Sequence, residues 1–109
     1  MAAQFRQMAL ALDGTIEAPH FDRTAFRVRR IYATLAPDAR TANLKFSLDE
    51  QALKCAVASE AFAPVANAWG RQGWTVATLA KLTAAEARDA LQIAWRHALA
   101  NAGRAGKKR

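Results

Sequence analysis

A chain of 109 residues has room for one ordinary domain and not for two. With 52% hydrophobic and 23% charged residues it can build a core, which argues against global disorder, and no apolar run approaches the roughly 18 residues of a membrane span. Its net charge of +7 points toward anionic partners, yet without residues 104–109 the remainder is only +3.

The domain is therefore expected over residues 1–103, followed by a basic, flexible tail at 104–109 that carries Arg104, Lys107, Lys108 and Arg109. That tail reads either as an electrostatic arm for phosphates or as a solubilising terminus. Cys55 stands alone, so no internal disulfide forms, which fits a reducing cytoplasm. The first residues lack the continuous apolar segment of a signal peptide.

In chain order, Phe5, Met8, Ala9 and Leu12 fall at helical spacing ahead of Gly14, predicting a first helix over Ala2–Leu12. Ile16 to His20 reads as a short strand interrupted by Pro19. From Ala25, Phe26 and Val28 alternate with Arg27 and Arg29, as in a half-buried strand, with a reversal near Arg29 and Arg30. Ile31, Ala33 and Leu35 line the apolar face of the next strand. After a turn at Pro37–Arg40, Asn43 to Ser47 is a further strand with Leu44 and Phe46 inward. Ser47-Leu48-Asp49-Glu50 fits a capping box opening a helix through Leu53, Ala56 and Val57 to about Glu60, and Thr83-Ala84-Ala85-Glu86 repeats the device. The helix that follows carries the stripe Ala87, Leu91, Ala94, Trp95 and Ala98, with Trp95 expected in the core and a stop at Gly103. Between these helices Trp69-Gly70-Arg71-Gln72-Gly73-Trp74 forms a shaped corner leading into a strand over Trp74–Leu79. Strands clustered together rather than alternating with helices predict an α+β fold, an antiparallel sheet with helices packed on one face.

Two groups of residues carry candidate binding chemistry. Arg27 and Arg29 on one strand side, Lys45 on another strand and Arg30 at the turn, flanked by Arg23 and Arg40, form a positive sheet face suited to phosphates, assisted by Arg71. The same face also reads as an outer surface kept charged for solubility. Trp69, Arg71 and Trp74 form a candidate platform for a small ligand or nucleobase, although the reading that one or both tryptophans anchor the loop to the core is favoured by the adjacent glycines. His20 and His97 have no neighbouring ligands at metal spacing, Cys55 reads as a small apolar residue, and no catalytic or phosphate-loop motif occurs. No enzyme activity, cofactor or metal is therefore expected.

Several stretches together are similar to the MmcQ/YjbR family of small bacterial proteins: Ala11-Leu12-Asp13-Gly14, Pro19-His20-Phe21, Ala25-Phe26-Arg27-Val28, Ile31-Tyr32-Ala33-Thr34-Leu35, Leu44-Lys45-Phe46-Ser47-Leu48-Asp49-Glu50-Gln51, Phe62-Ala63-Pro64 and Trp69 to Thr75. The resemblance covers roughly residues 5–99. It implies a frataxin-like (CyaY-like) α+β single domain of the kind described as a double-wing DNA-binding motif, and hence DNA as the partner. It transfers no active site. Frataxin-type iron sites rest on an acidic first helix, whereas residues 1–12 here contain no acid and Arg6 is basic, which disfavours iron. The expectation is a non-enzymatic DNA-binding protein making sequence-tolerant contacts through Arg27, Arg29, Arg30, Lys45 and Arg71. Its alternative is a protein- or small-ligand-binding module built on Trp69, Arg71 and Trp74.

Overall fold

Each half of the chain begins with a helix and continues into hairpins, and the strands of both halves join one sheet. In the computed structural model, which describes the backbone of residues 1–107 and the side chains of residues 1–100, helix α1 (Ala2–Leu10) leads through Gly14 into β1 (Ile16–His20). β2 (Arg23–Arg27), β3 (Ile31–Leu35) and β4 (Thr41–Lys45) follow as an antiparallel meander. Helix α2 (Leu48–Val57) then carries the chain to β5 (Phe62–Pro64), and β6 (Trp74–Thr78) returns between β4 and β5. The sheet order is β1-β2-β3-β4-β6-β5, with every neighbouring pair antiparallel. Pro19 sits on the edge strand β1, where a missing ladder donor costs least.

Helix α3 (Ala84–Lys107) lies across β3 and β4 and packs against α1. Its buried stripe is Ala87, Ala90, Leu91, Ala94 and Ala98, small enough for close approach to the sheet. Phe5, Phe26, Tyr32, Leu44 and Phe46 fill the layer between, with Phe5 edge-on to Phe26 at 6.2 Å between centroids and Phe46 edge-on to Phe62 at 6.3 Å. Both capping boxes form. Ser47 Oγ accepts from the Glu50 amide at 3.1 Å while Glu50 Oε1 accepts from the Ser47 amide at 2.8 Å. Thr83 and Glu86 exchange the same pair of bonds at 3.1 and 2.8 Å. Among the described residues no helix is long and apolar enough to cross a membrane.

The structure departs from the sequence reading at definite points. β5 is an added sixth strand, too short at three residues for its alternation to register. Phe26 pairs with Ala33 but Arg27 with Ile31, so Tyr32 is an extra residue on β3. The bulge turns Tyr32 toward the helices, where its hydroxyl donates to the Ala9 carbonyl at 3.3 Å and meets Thr15 Oγ1 at 2.8 Å, and it puts Ile31 on the opposite face. α2 is peripheral, packing on β5, and leaves Leu53 and Val57 exposed. Trp95 is half-buried, its indole N–H donating to the Asp13 carbonyl at 3.0 Å, so it straps α3 to the α1–β1 connection from the margin of the core. The α3 backbone continues through Gly103; glycine costs a helix about 1 kcal/mol relative to alanine but stops it only when it turns left-handed. The basic character expected of residues 104–109 lies outside the described side chains.

Candidate functional site

The helices cover one face of the sheet and leave the other open. Along β4 and β6, Leu44 and Thr75 point to the helices, so their neighbours Asn43, Lys45 and Trp74 point outward. Thr34 of β3 shares this outer face through its pairing with Asn43. A cavity of about 480 Å3 lies over this floor of Thr34, Asn43 and Trp74. One wall comes from the β5–β6 connection, with Val65, Asn67 and Trp69. The other comes from the β1–β2 hairpin, with His20, Phe21, Asp22 and Arg23, and Ile31 joins the lining because of the bulge.

The tryptophan wall is built by backbone contacts that exclude side chains. A Cβ on Gly70 would stand 1.9 Å from the Val65 carbonyl oxygen, and one on Gly73, at φ +105°, would stand 2.0 Å from that of Phe46. Both glycines are therefore sterically required. Asn67 Oδ1 accepts from the Trp69 amide at 2.9 Å, and the amides of Gln72 and Trp74 return to the Trp69 carbonyl. From α2, the buried Gln51 donates both hydrogens of Nε2, to the Gly70 carbonyl at 2.9 Å and the Trp74 carbonyl at 3.0 Å. Gln51 was not singled out by sequence; its place in the first turns of a capped helix gave no sign that its amide clamps a loop some twenty residues downstream. Trp74 is half-buried, whereas Trp69 is 57% exposed and so presents its ring rather than anchoring the core.

The opposite wall has the more unusual residue. Phe21 sits in the two-residue connection between the paired His20 and Arg23, at φ 60° and 94% exposed. Such hairpin positions favour glycine or asparagine, and a bulky side chain with positive φ is strained by about 1–3 kcal/mol. A large apolar ring held in water by a strained turn contributes nothing visible to the fold. Its neighbour His20 lies edge-on at 4.9 Å between centroids. Arg23 is held by Thr34, donating from Nε to Oγ1 at 2.7 Å and from Nη2 to the carbonyl at 3.5 Å, and its other N–H groups remain available. Sequence reasoning treated Arg23 as flanking and missed Phe21, His20 and Asn43 as wall or floor residues. An apolar residue in a two-residue turn was the available signal for Phe21.

The candidate cations divide into two groups. β2 ends at Arg27, so Arg29 does not share a strand side with it; Arg29 and Arg30 lie in the β2–β3 bend, where the bulge has broken the alternation. Lys45 is opposite Trp74 on the neighbouring strand. Partial burial and the positive charge of Arg30 push the Lys45 ammonium below its ordinary pKa, with Glu50 pulling the other way. Arg71 does not join the tryptophans. The tight 3-10 turn Gly70–Gln72 rotates it into a neighbouring depression of about 360 Å3, lined also by Gln51 and Pro64, though Val65 and Asn67 border both cavities. Arg27, Arg29, Arg30, Lys45 and Arg71 form no ion pair with any described residue.

This arrangement supplies ring faces, amides and unpaired cations, which is recognition chemistry. Cys55 is half-buried with its thiol pushed up by burial, and among the described residues no group of three or more His, Cys, Asp or Glu side chains could hold a metal ion.

The YjbR family model matches residues 10–97. Among solved structures the chain resembles the Deinococcus radiodurans protein DR2400, whose crystal structure carries a domain of the family DUF419. The two superpose with a TM-score of 0.68 at 20% identity, covering 82% of this chain and 71% of that one. This likeness concerns the fold. No significant match among curated proteins accompanies it.

Proposed function

The chain belongs to the YjbR family, and from that premise we propose that it is a non-enzymatic, DNA-binding protein of the cytoplasm whose contacts are made by the uncovered sheet face. The observation that carries the reading is the grouping of Arg27, Arg30 and Lys45 at the β2–β3 end of that face, beside the aromatic cavity, with Arg29 in the same bend and none of the four ion-paired with a described residue. Among the described residues only Arg6–Glu17 and Lys54–Asp89 form ion pairs, at 2.8 and 2.6 Å, so what marks this end is that its cations are gathered together. At the β2–β3 end the like charges are instead close enough for Arg30 to depress Lys45. Such repulsion is relieved by a polyanion.

The test is a titration of DNA against the full-length protein at several salt concentrations. Four phosphates neutralised on a duplex give a log–log salt slope of about −3.6. Replacing Arg27, Arg29 and Arg30 by glutamine should make that slope shallower by nearly one for each phosphate no longer neutralised. Replacing the four basic residues at 104–109 separates the tail's share. Binding that disappears with the tail alone and ignores the three arginines would refute the assignment to the sheet face.

A second reading has its own observation. The cavity walls are mainly rings and aliphatic groups, which also suits a small apolar ligand or a protein segment. Such binding would depend weakly on salt, would ignore the arginine replacements and would fail on removal of Trp69.

A further inference from the structure

We propose that this face takes an unpaired nucleotide strand, with a base stacked against the exposed rings of the cavity and its phosphates drawn to the Arg30–Lys45 end. The inference rests on the nucleic-acid reading above and goes beyond it by naming the strand form. A closed duplex offers a protein its phosphates and the edges of its bases, while the flat faces of the bases are occupied by one another. The exposed rings of Phe21 and Trp69 gain nothing from phosphates or from base edges. They gain from a flat, unstacked partner, and stacking of that kind accepts any base.

Cavity size and charge agree with this occupant. Its volume of about 480 Å3 falls within the about 300–1,000 Å3 of sites that enclose a drug-sized ligand, the size class of a nucleotide. Its aromatic lining comes from separate elements, the β1–β2 hairpin, the β5–β6 connection and β6, so a strand crossing the face meets ring surfaces at more than one place. Asn43 on the floor offers one amide donor and one acceptor to a base edge. At the hairpin end the charge of Asp22 is offset by Arg23, whereas Lys45 beside Trp74 and the adjacent Arg30 place two positive charges at the other end, which draws the phosphates there. The strained, water-exposed Phe21 then has a purpose that the fold alone does not provide.

The test compares three probes of equal length at low salt, a thymidine 20-mer, a mixed-sequence duplex and an abasic phosphodiester strand, read by quenching of tryptophan fluorescence and by anisotropy of labelled strands. The thymidine strand should bind more tightly than the duplex and than the abasic strand. Trp69→Ala should weaken the thymidine strand roughly 5- to 150-fold, the range for one missing stacking partner, and Trp69→Phe should keep most of the affinity. Phe21→Asn should weaken it in the same sense, in a turn that asparagine suits better, so loss of folding does not confound the result. Both variants should weaken the thymidine strand more than the duplex. If the duplex binds as tightly as the thymidine strand, or if neither variant affects that strand, the unpaired-strand inference is overturned while backbone binding to DNA survives. Equal losses on the thymidine and abasic strands overturn it too, because the rings would then act without bases. No binding of any probe overturns both readings.

Discussion

Lys45 shows at a single residue how the outer face trades stability for attraction. Its ammonium is held partly out of water and close to Arg30, and both effects disfavour the charge, leaving its pKa below the ordinary lysine value. The unfolded chain therefore binds more protons than the folded one between that lowered pKa and about 10.4, so this residue makes stability rise with pH across that window. At neutral pH the cost is present in full. Lys45→Met, which keeps the aliphatic stem and removes the charge, should raise the urea midpoint at pH 7 and abolish this residue's share of the alkaline rise. The same variant should weaken DNA binding and make the salt slope shallower by about one. A midpoint that falls at neutral pH would show that Lys45 is a stabilising partner of Glu50, and the site would lose its central cation.

At the scale of elements, the tryptophan corner depends on α2 more than on its own loop. Gln51 places one amide nitrogen between two carbonyls, of Gly70 and Trp74, and so couples the capped helix to the cavity wall. Gln51→Ala should cost about 1–2 kcal/mol in urea unfolding, toward the lower end because each carbonyl keeps a backbone donor, from Gly73 and Val65 respectively. Gln51→Glu should cost more despite its matching shape, since it removes both donors and sets a carboxylate against two carbonyl oxygens. Both variants should weaken the thymidine strand. If Gln51→Glu is the milder change, the clamp is not what holds the corner.

The elements also show what was legible before the structure. Capping boxes, the alternation in β4 and β6 and the alanine stripe of α3 are local signals, and each led to the right element. The two glycines of the corner were readable as constraints because nothing else in that segment explains them. An inserted residue on β3 is silent in the sequence: alternation counted from Ala33 puts Ile31 on the core face, and only pairing with β2 reveals that Tyr32 has taken that side. The aromatic wall was half legible for a similar reason. Trp69 and Trp74 are near in sequence, but Phe21 comes to line the same cavity only through the folding of the sheet.

Across the whole molecule the sheet separates two kinds of work. Its helix face carries the buried aromatic core and holds the fold, while its open face carries strain, like charges and exposed rings. Tyr32 belongs wholly to the first. It ties β3 to the Ala9 carbonyl of α1 and to Thr15 ahead of β1, and burial raises its pKa above the ordinary tyrosine value, with the Thr15 hydrogen bond opposing the rise. Below about pH 10 the phenol is protonated in both states and adds no pH dependence; above it the unfolded chain ionises first, so stability falls until the folded pKa is passed. Tyr32→Phe should cost about 0.5–1.5 kcal/mol at pH 7 through the missing hydroxyl bonds and should flatten that alkaline fall. Because Lys45 imposes an opposite slope just below the same region, the comparison is the difference between variant and parent measured from pH 8 to 11. Affinity for DNA at neutral pH should be unchanged in Tyr32→Phe, provided the protein is folded. A loss of binding there would show that the two faces are coupled through β3, and that the bulge at Tyr32 transmits strain from the core to the cavity.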